Sequence, residues 1–287
     1  MEEYEILRGA ENLPLNGNLV VPVWLTWVLI ATVAIASSLS LLLPEAFYPN
    51  QTQQLTFLTN DAVNLIIGLP LLGLSLWFVK KNKLIGLIIW YGGLFYVIYN
   101  YLAYVFGMPF GWQTILNSAI IGLSLVIGIL IFRKVDFEGL EGVVGGVGPR
   151  KAASILILIF GLGFFIQAVI KVSGFLSGSG QIGLEEVGVF AADLAGSVMW
   201  LLSGYFLLSR KPIGFLFGWS GLVAVVVLNI GLLAYLVLQP LIVGGAFEAL
   251  DFLIIVAFSA LCYLPLGMFL KGLNNSYDES HSIQGSG

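Results

Sequence analysis

The chain has 287 residues, 59% of them hydrophobic and only 10% charged, with a mean hydropathy of +0.98. A soluble domain carries roughly a quarter of its residues charged, so this composition excludes a solvated surface and makes lipid the solvent for most of the chain. The formal net charge of −4 leaves no basic nucleic-acid surface, and one cysteine, Cys262, excludes an intrachain disulfide.

Residues 1–19, beginning MEEYEILRGAENLPLNG, are acidic and polar, where a cleavable signal would start with a basic segment. They read as a cytoplasmic N-terminal segment. The first apolar run, 20–43, is long enough to cross about 30 Å of hydrocarbon at about 1.5 Å per residue. The loop after it carries Asn50-Gln51-Thr52, an external sequon that takes an N-glycan only where that machinery exists. The second run, 60–79, opens on Asn60, Asp61 and Asn64, contains Pro70 and ends at Lys80-Lys81. The third, 84–106, holds Trp90 and Gly92 and a stripe of Tyr96, Asn100 and Tyr104 at i, i+4 and i+8. The fourth, 113–132, carries Asn117. Together these form a first four-helix half over 20–134.

The loop 135–150 is Gly-rich, but it has no Gly-Lys-Ser/Thr and follows no strand, so it reads as a flexible linker rather than a phosphate-binding loop. The second half, 151–271, has runs at 151–172, 187–208, 213–238 and 247–270. Lys171 ends the first, Asp193 lies early in the second, and Asn229 sits in the third. Glu248, Asp251 and Pro265 lie in the fourth. Residues 272–287, including the single histidine His281, read as a disordered cytoplasmic tail.

In hydrocarbon every backbone N–H and C=O needs an internal partner, and none of these runs alternates as a β-barrel strand would. The expected fold is therefore all-α, a polytopic membrane bundle of about eight helices. Of the 12 Lys and Arg residues, all but Lys171 fall on one side of an eight-span arrangement. The positive-inside rule makes that side the cytoplasm and places the protein in the cell membrane with both termini inside. Cysteines at Gln53, Ser179 and Gly244 are expected to label from outside, and those at Asn82, Glu141 and Ser280 are not.

The halves resemble each other. Trp90, Gly92 and Asn100 recur as Trp219, Gly221 and Asn229 at identical spacing, Asp61 matches Asp193, and Leu116-Asn117 matches Leu250-Asp251. Corresponding runs point the same way, so the expectation is a parallel 4+4 repeat about an axis along the membrane normal.

Charged groups at membrane depth are costly and ask for a reason. The expected site gathers Asp61, Asn64, Asn100, Asn117, Asp193, Asn229 and Asp251 around an outward-facing acidic pocket for a cation, a proton or a small polar solute. A blander reading has Asp61 stabilising a helix N-terminus, Lys171 pairing with Glu185 or Asp193, and the tyrosines forming an interfacial belt. With no intramembrane histidine and one cysteine, histidine-held haem, a zinc protease site, a Ser-His pair, Fe–S ligation and thiol redox chemistry lose their central residues. No cofactor is expected. A transporter or channel-like protein is the leading reading. A non-catalytic scaffold or accessory subunit is the alternative, and a lipid-modifying membrane enzyme a weaker one. Partners beyond the bilayer and the solute, and the oligomeric state, are not legible.

Overall fold

The computed structural model describes residues 13–177 and 183–284. It is helical throughout, apart from one bridge between Leu15 and Val135. Eight of its helices are long and apolar enough to cross a membrane. In chain order the helices are α1 (Val20–Leu42), the short α2 (Pro44–Phe47), α3 (Gln51–Lys80), α4 (Leu84–Gly107) and α5 (Trp112–Phe132). There follow α6 (Phe137–Val144), α7 (Arg150–Leu176), α8 (Leu184–Leu208), α9 (Pro212–Ile242) and α10 (Ala249–Gln284). All but α2 and α6 are candidate spanning helices.

Helix α4 is the hub. Of its most apolar 18-residue stretch 83% is buried, against 22% for α10 at the periphery. Its glycines make this burial feasible. A Cβ on Gly92 would stand 2.7 Å from the Ser220 carbonyl oxygen, and Ser220 Oγ donates to the Ile88 carbonyl at 3.0 Å. Thus α4 and α9 cross backbone against backbone, with a hydrogen bond one turn below the glycine. Trp90 and Trp219 are fully buried on either side of this crossing. The Trp90 indole donates to Thr26 Oγ1 at 3.0 Å and ties α4 to α1, while Trp219 stacks on Phe269 of α10.

Three boundaries differ from the sequence reading. Span two starts at Gln51, not 60, because Asn50 caps it, its side chain accepting from the Gln53 N–H at 2.8 Å. Hydropathy finds the part of a helix in hydrocarbon, and residues 51–60 are a polar extension of the same helix. The loop 135–150 is not a structureless linker. Asp136 caps α6 through the Gly139 N–H at 3.2 Å, and Leu140 and Val144, at i and i+4, are buried against the bundle. Finally, α10 continues to Gln284, where a disordered tail was expected from 272. Residues 273–284 contain neither proline nor glycine to stop a helix.

Inside α3 the segment Asn64–Gly68 is a π-turn, with the Leu69 N–H bonded to the Asn64 carbonyl. It lies just before Pro70, whose ring would crowd the carbonyl four residues back in a regular helix. The cations are placed as helix chemistry dictates: Arg150 Nη1 donates to the Leu207 and Leu208 carbonyls at 2.6 and 2.9 Å, satisfying the C-terminus of α8.

Candidate functional site

Two buried carboxylates organise the bundle, in different ways. Asp61 lies ten residues into α3, about 15 Å from its start, so it caps no helix. It is 4% exposed and accepts from four hydroxyls. These are Ser37 Oγ at 3.0 Å, Ser40 Oγ at 2.5 Å, Tyr48 Oη at 2.5 Å and Tyr104 Oη at 3.1 Å. Ser37 and Ser40 share one face of α1, Tyr48 comes from the turn after α2, and Tyr104 comes from α4. Four segments therefore meet on one carboxylate whose lone pairs are nearly filled. Burial, and then the carboxylate of Asp61, push the Tyr48 phenol well above its usual range, which keeps it a donor. A void of about 10 Å³, the size of one water, adjoins Asp61 and is lined also by Tyr101 and Asn117.

Asp193, nine residues into α8, is 2% exposed. It accepts from Tyr99 Oη alone, at 2.6 Å, so its second oxygen has no protein donor among the described residues. It lines a cavity of about 420 Å³ between α3, α4, α7, α8 and α9, open on one side. The polar lining includes Asn60, Tyr96, Asn100, Gln167 and Tyr235, and the apolar lining includes Phe57 and Phe164. Two lining atoms, Tyr96 Oη and Asn100 Nδ2, are buried and, beyond a loose contact with each other, have no hydrogen-bond partner among the described residues. Such atoms cost free energy unless something fills the space beside them.

The two carboxylates touch different voids, and hydrogen bonds from Asp61 reach the cavity wall. Asn60, on the cavity wall, donates through Nδ2 to Tyr104 Oη at 3.1 Å, and Tyr104 donates to Asp61.

Of the seven expected residues, Asn100 and Asp193 share the cavity, while Asp61 and Asn117 share the small void. Asn64 is buried at the π-turn, next to Tyr96 across Gly68, and its Nδ2 is unpartnered. Asn229 is buried on α9 with Nδ2 likewise unpartnered and is not part of the cavity lining. Asp251 does not converge with the other acids. It is exposed at the start of α10, a peripheral helix. Asn50 is exposed at the N-cap of α3. Lys171 makes no direct ion pair among the described residues, its Nζ lying 4.8 Å from the Phe190 ring centroid, but its charge acts on Asp193.

Sequence reasoning missed Ser37, Ser40 and Tyr48 as partners of Asp61, and Gln167 and Tyr235 on the cavity wall. A readable signal existed for the first two: serines at i and i+3 in an apolar run share a face and need a partner. Among the described residues no group of three or more His, Cys, Asp or Glu side chains is placed to hold a metal ion. No family profile, no curated protein and no solved structure matches the chain.

Proposed function

We propose that this multi-pass membrane protein binds, and carries across the bilayer, a small solute bearing a positive charge, with the cavity at Asp193 as its binding site. One observation carries the reading. A cavity of about 420 Å³, in the range of small-ligand sites, combines a carboxylate that has an open coordination position with two orphaned polar atoms and an aromatic wall. The carboxylate favours a cation, and the aromatic side chains of Tyr96, Tyr99, Tyr235, Phe57 and Phe164 line the same cavity, a composition suited to an organic ammonium. The cavity lies nearer the α8 end that starts at Leu184, the end this reading assigns to the outside, with both termini cytoplasmic and the cell membrane as the host.

The parallel 4+4 repeat belongs to the same proposal, since many carriers place sites between related halves. The helix packing supports it. In each half the first helix packs on the second and fourth, the second on the third, and the third on the fourth. Across the halves, α4 packs on α8 as α9 packs on α3. Superposing 51–132 on 184–273 by a rotation about an axis near the membrane normal checks the relation.

The test of the site is thermal unfolding of the purified protein with tetramethylammonium, choline, potassium and the neutral choline isostere 3,3-dimethylbutanol. A bound cation at 100 times its dissociation constant stabilises by about 2.7 kcal/mol, a shift of several degrees. Asp193→Asn keeps the shape, removes the charge, and is expected to abolish the shift. The reading fails if no cation stabilises the wild type, or if the variant responds as the wild type does. The scaffold alternative draws on Asp61, whose saturated shell serves to lock helices, and it becomes the better account if the cavity binds none of these probes.

Topology has its own test. Cysteines at Thr52 and Gly244 are expected to react with an impermeant thiol reagent on sealed cells, and those at Asn82 and Gly146 only after permeabilisation. Thr52 replaces Gln53 as the probe because the Gln53 side chain is 1% exposed. Ser179 lies outside the described residues, as does the side chain of Ser280. Labelling of Asn82Cys from outside reverses the orientation.

A further inference from the structure

A second concavity lies at the opposite end of the bundle, where α1 begins and α3 ends. It is a lateral groove of about 1200 Å³ between these helices. Its apolar part is formed by Trp24, Trp27, Leu76 and Trp77, and the three tryptophans are 69%, 49% and 51% exposed. Its polar part is at one end only, at Asn18, Lys80 and Asn82. Gly17 lines it as well, and Lys134 Nζ stands 3.5 Å from the position a Gly17 Cβ would take. A third lysine, Lys81, lies with its Nζ 6.0 Å from the Trp77 ring. Among the described residues no acidic side chain lines the groove.

The charge follows the polarity. Trp27 and Gly73 each lie seven residues inside their helix ends, about 10 Å, so the apolar part reaches the depth of glycerol and the first acyl carbons while the lysines remain at headgroup level. Tryptophans alone would be an interfacial belt, which is ordinary. A concave belt with cations at only one end, and no acid among the described residues of its lining, has the polarity of an anionic amphiphile. Basic pockets between spanning helices bind acidic headgroups in this way.

We propose that this groove is a binding site for a phospholipid with an anionic headgroup, its phosphate between Lys80 and Lys134 and one acyl chain along Trp24, Trp27 and Leu76. The site is independent of the cavity at Asp193.

Gly73 supplies a clean variant. It lines the groove, and a Cβ there would meet nothing within 4 Å, so Gly73→Leu places its side chain into the groove from a position with room for a Cβ. The experiment is native mass spectrometry of the full chain in detergent, titrated with dioleoyl phosphatidylglycerol or dioleoyl phosphatidylcholine. The wild type is expected to retain one phosphatidylglycerol in preference to phosphatidylcholine, by roughly fivefold per participating lysine. Lys80→Gln with Lys134→Gln removes that preference and leaves weak, equal retention of both lipids. Gly73→Leu lowers retention of both, with an unchanged melting temperature. Equal retention of the two lipids by the wild type overturns the proposal and leaves an aromatic belt. So does a preference that survives the lysine double variant, or retention that Gly73→Leu leaves unchanged.

Discussion

Gly188→Val is expected to prevent a stable fold. A Cβ at this position would stand 2.1 Å from the Ala103 carbonyl oxygen and 2.5 Å from Gly107 Cα, so α8 and α4 touch backbone to backbone. Neither neighbouring atom is the end of a flexible side chain. The helices must separate, and α4 is the hub on which α3, α5, α8 and α9 all pack. Overpacking of this kind costs about 3 kcal/mol or more, a large part of the stability of a domain. Even Gly188→Ala is expected to lower the melting temperature by several degrees in detergent. Gly122→Ala is the control, because a Cβ there meets nothing within 4 Å and alanine is the better helix former. If Gly188→Ala melts within a degree of the wild type, the close crossing of α4 and α8 is wrong.

Asp61→Ala is expected to be the most damaging polar substitution. It removes the acceptor of four hydroxyls from α1, the α2 turn and α4, and leaves those hydroxyls buried. Single hydrogen bonds between membrane helices are worth about 0.6 kcal/mol on average, so four imply about 2–3 kcal/mol before any cavity is counted. Asp61→Asn is expected to lose less, because serine and tyrosine hydroxyls can turn and accept from the amide. Asp251→Asn, at an exposed position, should change stability by no more than about 0.5 kcal/mol. Thermal unfolding of the three variants tests the ranking. Equal losses for Asp61→Ala and Asp251→Asn would remove the case for a carboxylate lock.

The two acids looked alike in the sequence. Asp61 and Asp251 each stand near the start of an apolar run, and both were expected in one pocket with Asp193. Which of them is buried depends on how far its helix extends and which way it is turned. The extension of α3 back to Gln51 moved Asp61 from a presumed helix start to a point level with Ser37 and Ser40 of α1. Asp251 faces outward because α10 is at the edge of the bundle. The glycines behave similarly. Gly92 and Gly122 both lie inside apolar runs, yet one meets a backbone carbonyl and the other meets open space.

Composition and run length by themselves determined that the described residues form an all-helical fold with eight helices able to cross a membrane. Hydrocarbon leaves the backbone no partner but itself, so an apolar run of about 20 residues has one outcome regardless of its neighbours. Only the tertiary structure decided that Asp193 and Asn100 share a cavity, that Asp61 is enclosed by hydroxyls from other helices, and that the loop 135–150 contains a docked helix. These depend on the rotation and crossing of each helix against the others. Lipid is as apolar as leucine, so in the membrane those rotations are set by close packing at a few small residues and by hydrogen bonds between helices, not by a hydrophobic stripe that could be read along the chain.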